Sequence, residues 1–273
     1  MQYSISVVIP FYRAEEFFEY AYNSIKAQTV TPHEIIVVID GCDAQAEQYL
    51  QAFGGLKVIS LKLNGGPSKA RNIGVKSATG HWISFMDADD KWAPEKLEKQ
   101  LDFLKKNLEF SSCHTAVKTF TGQDIIATFD NKPITLTIED LLVSSQVVPT
   151  SWLIKKSAFE EVNGFDTNIK CSEDHDITLR LVAAGEKIGF LKEPLAFLRR
   201  EQHGHTSSNG RKFFIGHKQL LKKHKTLYNQ HPKLKHIFMY KTCMTAGSKR
   251  KGLEKNCYYL LGRMIKHLYK VKM

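Results

Sequence analysis

Cysteine is scarce and shows no pairing pattern in this sequence. Five residues, Cys42, Cys113, Cys171, Cys243 and Cys257, are scattered over 273 positions without a Cys-x-x-Cys pair. That argues against a disulfide framework or a structural zinc site, and for reduced thiols in a cytosolic compartment. No apolar run approaches the ~18 residues a membrane-spanning helix needs. The chain enters a strand-like run almost at once, without a basic leader, so a secreted product is not expected. A Gly-x-x-x-x-Gly-Lys phosphate loop is missing, and no Gly-x-Gly-x-x-Gly follows a strand, so neither a P-loop nor a dinucleotide fold has support. Internal repeats and low-complexity linkers are absent too.

What is present suits a globular α/β protein. Hydrophobic residues make up 42% and charged residues 25%, enough for one large domain or one domain with an appendage. The charge is unevenly spread. From Arg211 onward seventeen Lys or Arg accompany one acid, Glu254, whereas the preceding part carries twenty-two bases and twenty-seven acids. A mildly acidic body with a strongly basic tail suits an anionic membrane surface or nucleic acid.

Short β-branched runs at Ser4–Pro10, Glu34–Ile39, Leu56–Leu61 and His81–Met86 read as buried strands. Helical patterns at Glu15–Gln28, Asp43–Phe53, from Ser68 as cap to about Ala78, and from Pro94 to about Asn107 alternate with them. This alternation predicts a parallel sheet covered on both faces, with ligands beyond the carboxyl ends of the strands. Tyr12, Asp40 and Asp87 all fall at such ends. Further on, Cys113–Thr128 reads as strands or a hairpin, Ser151–Ile154, Lys187–Leu191 and Leu195–Leu198 as strands, and Asp174–Ala184 as a helix. Composition shifts near Ser207-Ser208-Asn209-Gly210, which suggests a body of residues 1–210 and a basic helical extension of residues 211–273. In that extension Phe213–Tyr228 reads as a helix, and Leu253, Cys257, Leu260, Leu261, Met264, Ile265 and Leu268 stripe a last one. Such helices suit an anionic membrane surface or packing against the body.

Three clusters can carry chemistry. Asp87-Ala88-Asp89 puts two carboxylates at a strand end, where they can face a hard cation such as Mg²⁺ or Mn²⁺; a solvated loop with a helix cap also fits. Ser68-Lys69-Ala70-Arg71 behind Gly65-Gly66-Pro67 suits a diphosphate at a helix start, or a capped amphipathic helix. Glu173-Asp174-His175-Asp176 offers a general base, or acids in the first turn of a helix.

These segments, with Val7-Val8-Ile9-Pro10-Phe11-Tyr12, Asp40-Gly41, Ala70-Arg71-Asn72-Ile73-Gly74, Phe85-Met86-Asp87-Ala88-Asp89-Asp90 and Asn163-Gly164-Phe165-Asp166, occur in an order that resembles the inverting family 2 glycosyltransferases. The resemblance runs over roughly Ser4 to Ser208. It implies a GT-A fold: a Rossmann-like, mostly parallel sheet with helices on both faces, here with a C-terminal helical basic extension. It implies a metal-dependent inverting transfer of one sugar from a nucleotide-diphosphate donor, of the UDP type, to a glycan or lipid-linked acceptor in bacterial surface-polysaccharide synthesis.

By the same resemblance Pro10 and Tyr12 line the base pocket, Asp40 meets the base, Arg71 approaches the nucleotide, Asp87 binds the ribose and Ala88 lies between the two acids. Asp89 holds Mn²⁺ or Mg²⁺, Trp152 lies near the donor sugar, and Asp174, preceded by Glu173 at the nucleotide-sugar site, is the general base. His203, in preference to His205, joins the metal from a mobile loop. Arg13, Ile39 and Cys42 depart from the family pattern around the nucleotide. The acceptor motif and transmembrane helices of processive synthases are missing, which favours single addition by a cytoplasmic enzyme, in contact with the inner face of the cell membrane. A nucleotidyltransferase would show a Gly-rich activation loop, which is missing. A nucleic-acid-binding protein would show a recognition motif, and none is present, so no nucleic-acid partner is expected.

Overall fold

The computed structural model describes residues 3–41, 43–200 and 209–271. In chain order the elements are β1 (Ile5–Phe11), α1 (Glu15–Lys26), β2 (Glu34–Ile39), α2 (Ala44–Leu50), β3 (Leu56–Ser60), α3 (Pro67–Ser77) and β4 (Trp82–Phe85). Then come β5 (Lys91–Trp92), α4 (Lys96–Lys106), β6 (Phe110–Thr121), β7 (Asp124–Phe129), α5 (Ile138–Val143), β8 (Trp152–Lys155) and α6 (Lys156–Glu161). Last are α7 (Glu173–Ala183), β9 (Lys187–Arg199), α8 (Gly210–Lys223), α9 (Lys225–Gln230), α10 (Pro232–Ser248) and α11 (Gly252–Leu268).

The described residues form two compact units. One draws on the spans Met1–Leu136, Val147–Thr167 and Arg180–Glu201, the other on Thr137–Gln146, Asn168–Leu179 and Gln202–Met273. The chain therefore does not divide at residue 210 alone. The composition shift there marks where charge changes, but two internal segments fold with the basic region.

The first unit is built on one sheet in the order β3-β2-β1-β4-β8-β6-β9-β5, with β7 on β6. β3, β2, β1 and β4 are parallel, as their unbroken apolar runs predict. Beyond β4 the sheet is mixed. β8 runs antiparallel between β4 and β6, β9 is parallel to β6, and β5 and β7 are antiparallel edges. The mostly parallel expectation thus describes the first four strands. Both faces are covered. Val7, Ile9 and Val37 share a buried cluster with Phe18 and Ile25 of α1 and Leu97 and Leu101 of α4. On the other face α3 approaches β1 so closely that a Cβ on Gly74 would lie 2.3 Å from Val8 Cγ1. Only glycine allows that approach.

Local differences from the expected elements have local causes. α3 starts at Pro67 with Gly66 as its N-cap, and Ser68 is buried one position inside the helix rather than capping it. The two strands expected at residues 187–198 are one, β9; its register against β6 slips around Ala116, opposite Pro194, where an irregularity absorbs a residue with no N–H to give.

The second unit is helical. α10 and α11 pack on each other around Cys243 and Ile265. The helix expected at Phe213–Tyr228 is interrupted at His224, whose ring turns inward to the buried carboxylate of Asp176. Among the described residues no helix is long and apolar enough to cross a membrane.

Candidate functional site

The parallel strands of the first unit end along one edge, the position where open α/β sheets bind ligands. Tyr12 and Arg13 follow β1, Asp40 follows β2, and Met86 to Asp90 follow β4. The turns are tied to their neighbours: Asp40 N–H donates to Phe11 O at 2.8 Å and Met86 N–H to Val8 O at 3.1 Å. Tyr12 is 54% exposed, and the Arg13 guanidinium lies 5.2 Å from its ring centroid. Arg13 has φ of 50°, a left-handed conformation that a non-glycine residue holds only under local constraint. Pro10 is half-buried in β1 opposite Val38.

Asp40 is buried, and its two carboxylate oxygens accept the backbone N–H groups of Gly65 and Gly66 at 2.7 and 2.8 Å. It shapes the loop that leads into α3. One turn into that helix, Arg71 donates through Nη2 to Asp87 Oδ1 at 2.6 Å, with its guanidinium carbon 5.5 Å from the Phe165 ring centroid. The Arg71 side chain is 5% exposed and that of Asp87 34%. A buried guanidinium therefore fixes a carboxylate that still reaches solvent, which makes the pair worth more than an exposed one.

The acidic turn is held from beneath. Thr150 Oγ1 accepts the Asp87 N–H at 3.2 Å and donates to Asp90 Oδ2 at 2.6 Å. The carbonyl of Thr150 accepts the Trp92 indole N–H at 2.7 Å. On the other side Arg199 donates its backbone N–H to Asp90 Oδ1 at 2.9 Å and Nε to the Asp89 carbonyl at 3.1 Å. Its guanidinium rests on Phe17 and Phe120, 4.4 and 4.8 Å from their centroids. Ala88 is buried, so the chain dips between two half-buried acids. Burial, with the charges of Asp89 and Asp87, pushes the Asp90 carboxyl well above the usual carboxylate range.

Burial is the larger cause of that shift, and the neighbouring charges of Asp89 and Asp87 add to it. Carboxylate oxygens are the donors Mg²⁺ and Mn²⁺ prefer. Among the described residues no group of three His, Cys, Asp or Glu is arranged to hold a metal. The half-buried carboxylates of Asp87 and Asp89 are of the donor type such ions take, with Asp87 also engaged by Arg71.

Other expected residues fall elsewhere. Trp152 is fully buried, its ring 6.1 Å from that of Phe85, so it is core beneath the turn and does not reach the surface where a sugar would lie. Its Nε1, and both ring nitrogens of the cross-strand neighbour His114, have no hydrogen-bond partner among the described residues. Asp174 and Glu173 belong to the second unit, in the first turn of α7. Asp174 Oδ1 accepts the His175 backbone N–H at 2.8 Å, as acids at helix starts do, and Oδ2 accepts from Ser145 at 3.4 Å. His203 and His205 lie outside the described residues.

Sequence reasoning missed Asp90, Arg199 and the part Thr150 plays. Each acts through the backbone or from beneath the turn, where spacing carries no signal. A third acid in the turn and an arginine ending an apolar strand were the available cues.

A family model described as glycosyl transferase family 2 matches residues 6–162, more than half of the chain. A candidate teichuronic acid biosynthesis glycosyltransferase of Bacillus subtilis (strain 168), TuaG, is 28% identical over 207 residues, spanning 71% of this chain and 78% of that protein. The minor teichoic acid biosynthesis protein GgaB of the same organism is 28% identical over 212 residues, 74% of this chain but 23% of its own length. Among solved structures, S. aureus TarS 1–349 in complex with UDP-GlcNAc superimposes with a TM-score of 0.66 at 17% identity, covering 98% of this chain and 91% of that one. The TarS superposition supports the GT-A fold, and the family match, running through the segments that carry Tyr12, Asp40, Arg71 and the acidic turn, establishes that the chain belongs to glycosyl transferase family 2.

Proposed function

We propose that this chain transfers one hexosyl or N-acetylhexosaminyl unit from a UDP-type nucleotide sugar to an acceptor hydroxyl, with inversion at the anomeric carbon. The observation that carries this reading is the acidic turn after β4, fixed by Arg71, on the same sheet edge as the exposed ring of Tyr12. Tyr12 and Pro10 form the wall for the base. Arg71 orients Asp87 toward the ribose, and Asp40 holds the Gly65–Gly66 loop beside it. Asp89 would hold Mn²⁺ or Mg²⁺, which supplies charge neutralisation for the departing nucleoside diphosphate. Asp174 takes the proton of the acceptor hydroxyl as its oxygen attacks the anomeric carbon opposite the leaving group. One in-line displacement needs no nucleophilic Ser or Cys.

The UDP-GlcNAc bound to TarS supports the donor class. The names of TuaG and GgaB support an acceptor in surface-polysaccharide synthesis, which we take to be lipid-linked. The basic C-terminal region supports peripheral contact with the inner face of an anionic membrane. Along α11, Leu253, Leu260, Met264 and Leu268 are exposed while Ile265 is buried, so the apolar stripe faces solvent rather than the core. The test is a panel of nucleotide sugars with and without Mn²⁺, read by thermal shift and by the anomeric configuration of the product. A UDP-sugar should shift the melting temperature only with the metal and give an inverted product. No shift with any nucleotide sugar, or a retained configuration, would refute the reading.

A further inference from the structure

We propose that helix α8, which lies outside the matched family region, is the positioning element for Asp174. The inference rests on the reading of Asp174 as general base. Within the second unit one stripe of α8 reads the backbone and side chains of residues 168–176 almost residue by residue. Gln219 donates to the Asn168 carbonyl at 2.9 Å and accepts the Lys170 N–H at 3.0 Å. Gly216 touches Cys171; a Cβ there would sit 2.4 Å from the Cys171 carbonyl oxygen. His217 Nε2 meets Ser172 Oγ at 3.1 Å, while its Nδ1 meets Thr242 of α10 at 2.7 Å. At the end of the stripe the Lys223 ammonium and His224 Nε2, each 2.9 Å from Oδ1, close on the carboxylate of Asp176, which is fully buried.

Positions 216, 217, 219 and 223 of α8 share one broad face, and His224 follows at its C-cap. Their partners, residues 168–172 and 176, flank Asp174 on both sides along the chain. Ser172, the residue before α7, has φ of 69°, a conformation a serine keeps only where its surroundings impose it. Asp174 accepts the His175 N–H within its own helix and bonds Ser145 from 29 residues away; both contacts orient its carboxylate at the start of α7. α8 sets where that start lies. A base misplaced by about 1 Å can lose on the order of 100-fold in rate, so these contacts should appear in turnover. Burial holds the His217 ring down to about 3 and His175 to about 4, so both are neutral spacers in this arrangement. Helix α8 is thus a positioning part of the site rather than a removable tail.

The test uses the full chain with Gln219→Ala and Gly216→Ala, measured alongside Asp174→Asn. UDP-binding stoichiometry normalises each preparation to its folded fraction. The expected result is a fall in kcat of about 10-fold or more for both α8 variants, with donor KM and UDP affinity unchanged. Combined with Asp174→Asn, neither should lower the rate further, because the group they position is already gone. If Asp174→Asn is inactive while both α8 variants turn over at the wild-type rate, the positioning role is wrong and the base assignment stands. The positioning role also falls if kcat and UDP-binding stoichiometry drop together, since that is loss of fold. If Asp174→Asn itself transfers at the wild-type rate, the base assignment fails and this inference with it.

Discussion

The hydroxyl of Thr150 donates to the buried carboxylate of Asp90 across 2.6 Å while accepting the backbone N–H of Asp87. One side chain thereby fixes both ends of the acidic turn. Thr150→Val keeps the shape and removes both bonds, leaving a buried acceptor and a backbone donor unsatisfied. Chemical denaturation should show a loss of about 1–3 kcal/mol, and UDP should bind more weakly in the presence of Mn²⁺. Unchanged stability and affinity would mean the turn is held by other means.

Lys96 is fully buried over the Trp92 ring, bonded to Gln100 at 2.8 Å and Ser84 at 3.1 Å. Burial, partly opposed by Cys113, brings its ammonium from 10.5 down to about 7. The unfolded chain therefore binds a proton there that the folded chain releases between those values. Because the unfolded state holds more protons in that window, stability should rise with pH from 7 toward 10.5. Lys96→Met should flatten that rise in a pH series of melts. An identical slope for variant and wild type would show that the lysine keeps its proton.

A third expectation concerns the exposed face of α11. Leu260→Ser combined with Met264→Ser removes two solvent-facing apolar side chains and no charge. Flotation with anionic vesicles should fall, while turnover on a water-soluble acceptor stays at the wild-type level. Point variants are preferred to removing residues 211–273, which would also take α8 from the segment that carries Asp174. Equal flotation of variant and wild type would end the case for this face.

The parallel half of the fold was legible because β1, β2 and β4 are buried on both sides and so apolar at nearly every position. The candidate edge followed from where those runs stop, and Tyr12, Asp40 and Asp87 stand there. What could not be read was how the polar groups are spent. Asp40 is taken up by Gly65 and Gly66, and Arg71 by Asp87, through contacts across 16 to 26 residues that leave no periodic trace. Trp152 is placed near the donor sugar by the family resemblance alone, with no local sequence signal behind it. Its place in the cross-strand pair with His114 instead buries it. The C-terminal helices advertised charge, which hid the face of α8 that the Asn168–Asp176 segment requires.

The central claim is that the acidic turn grips a nucleoside diphosphate through a cation held at Asp89. Calorimetric titration of UDP into the wild-type chain with Mn²⁺, after EDTA, and into Asp89→Ala tests it most directly. Tight binding should appear only for wild type with metal, and both EDTA and the substitution should weaken it by a similar factor. UDP affinity that ignores both, or no binding under any condition, would contradict the account.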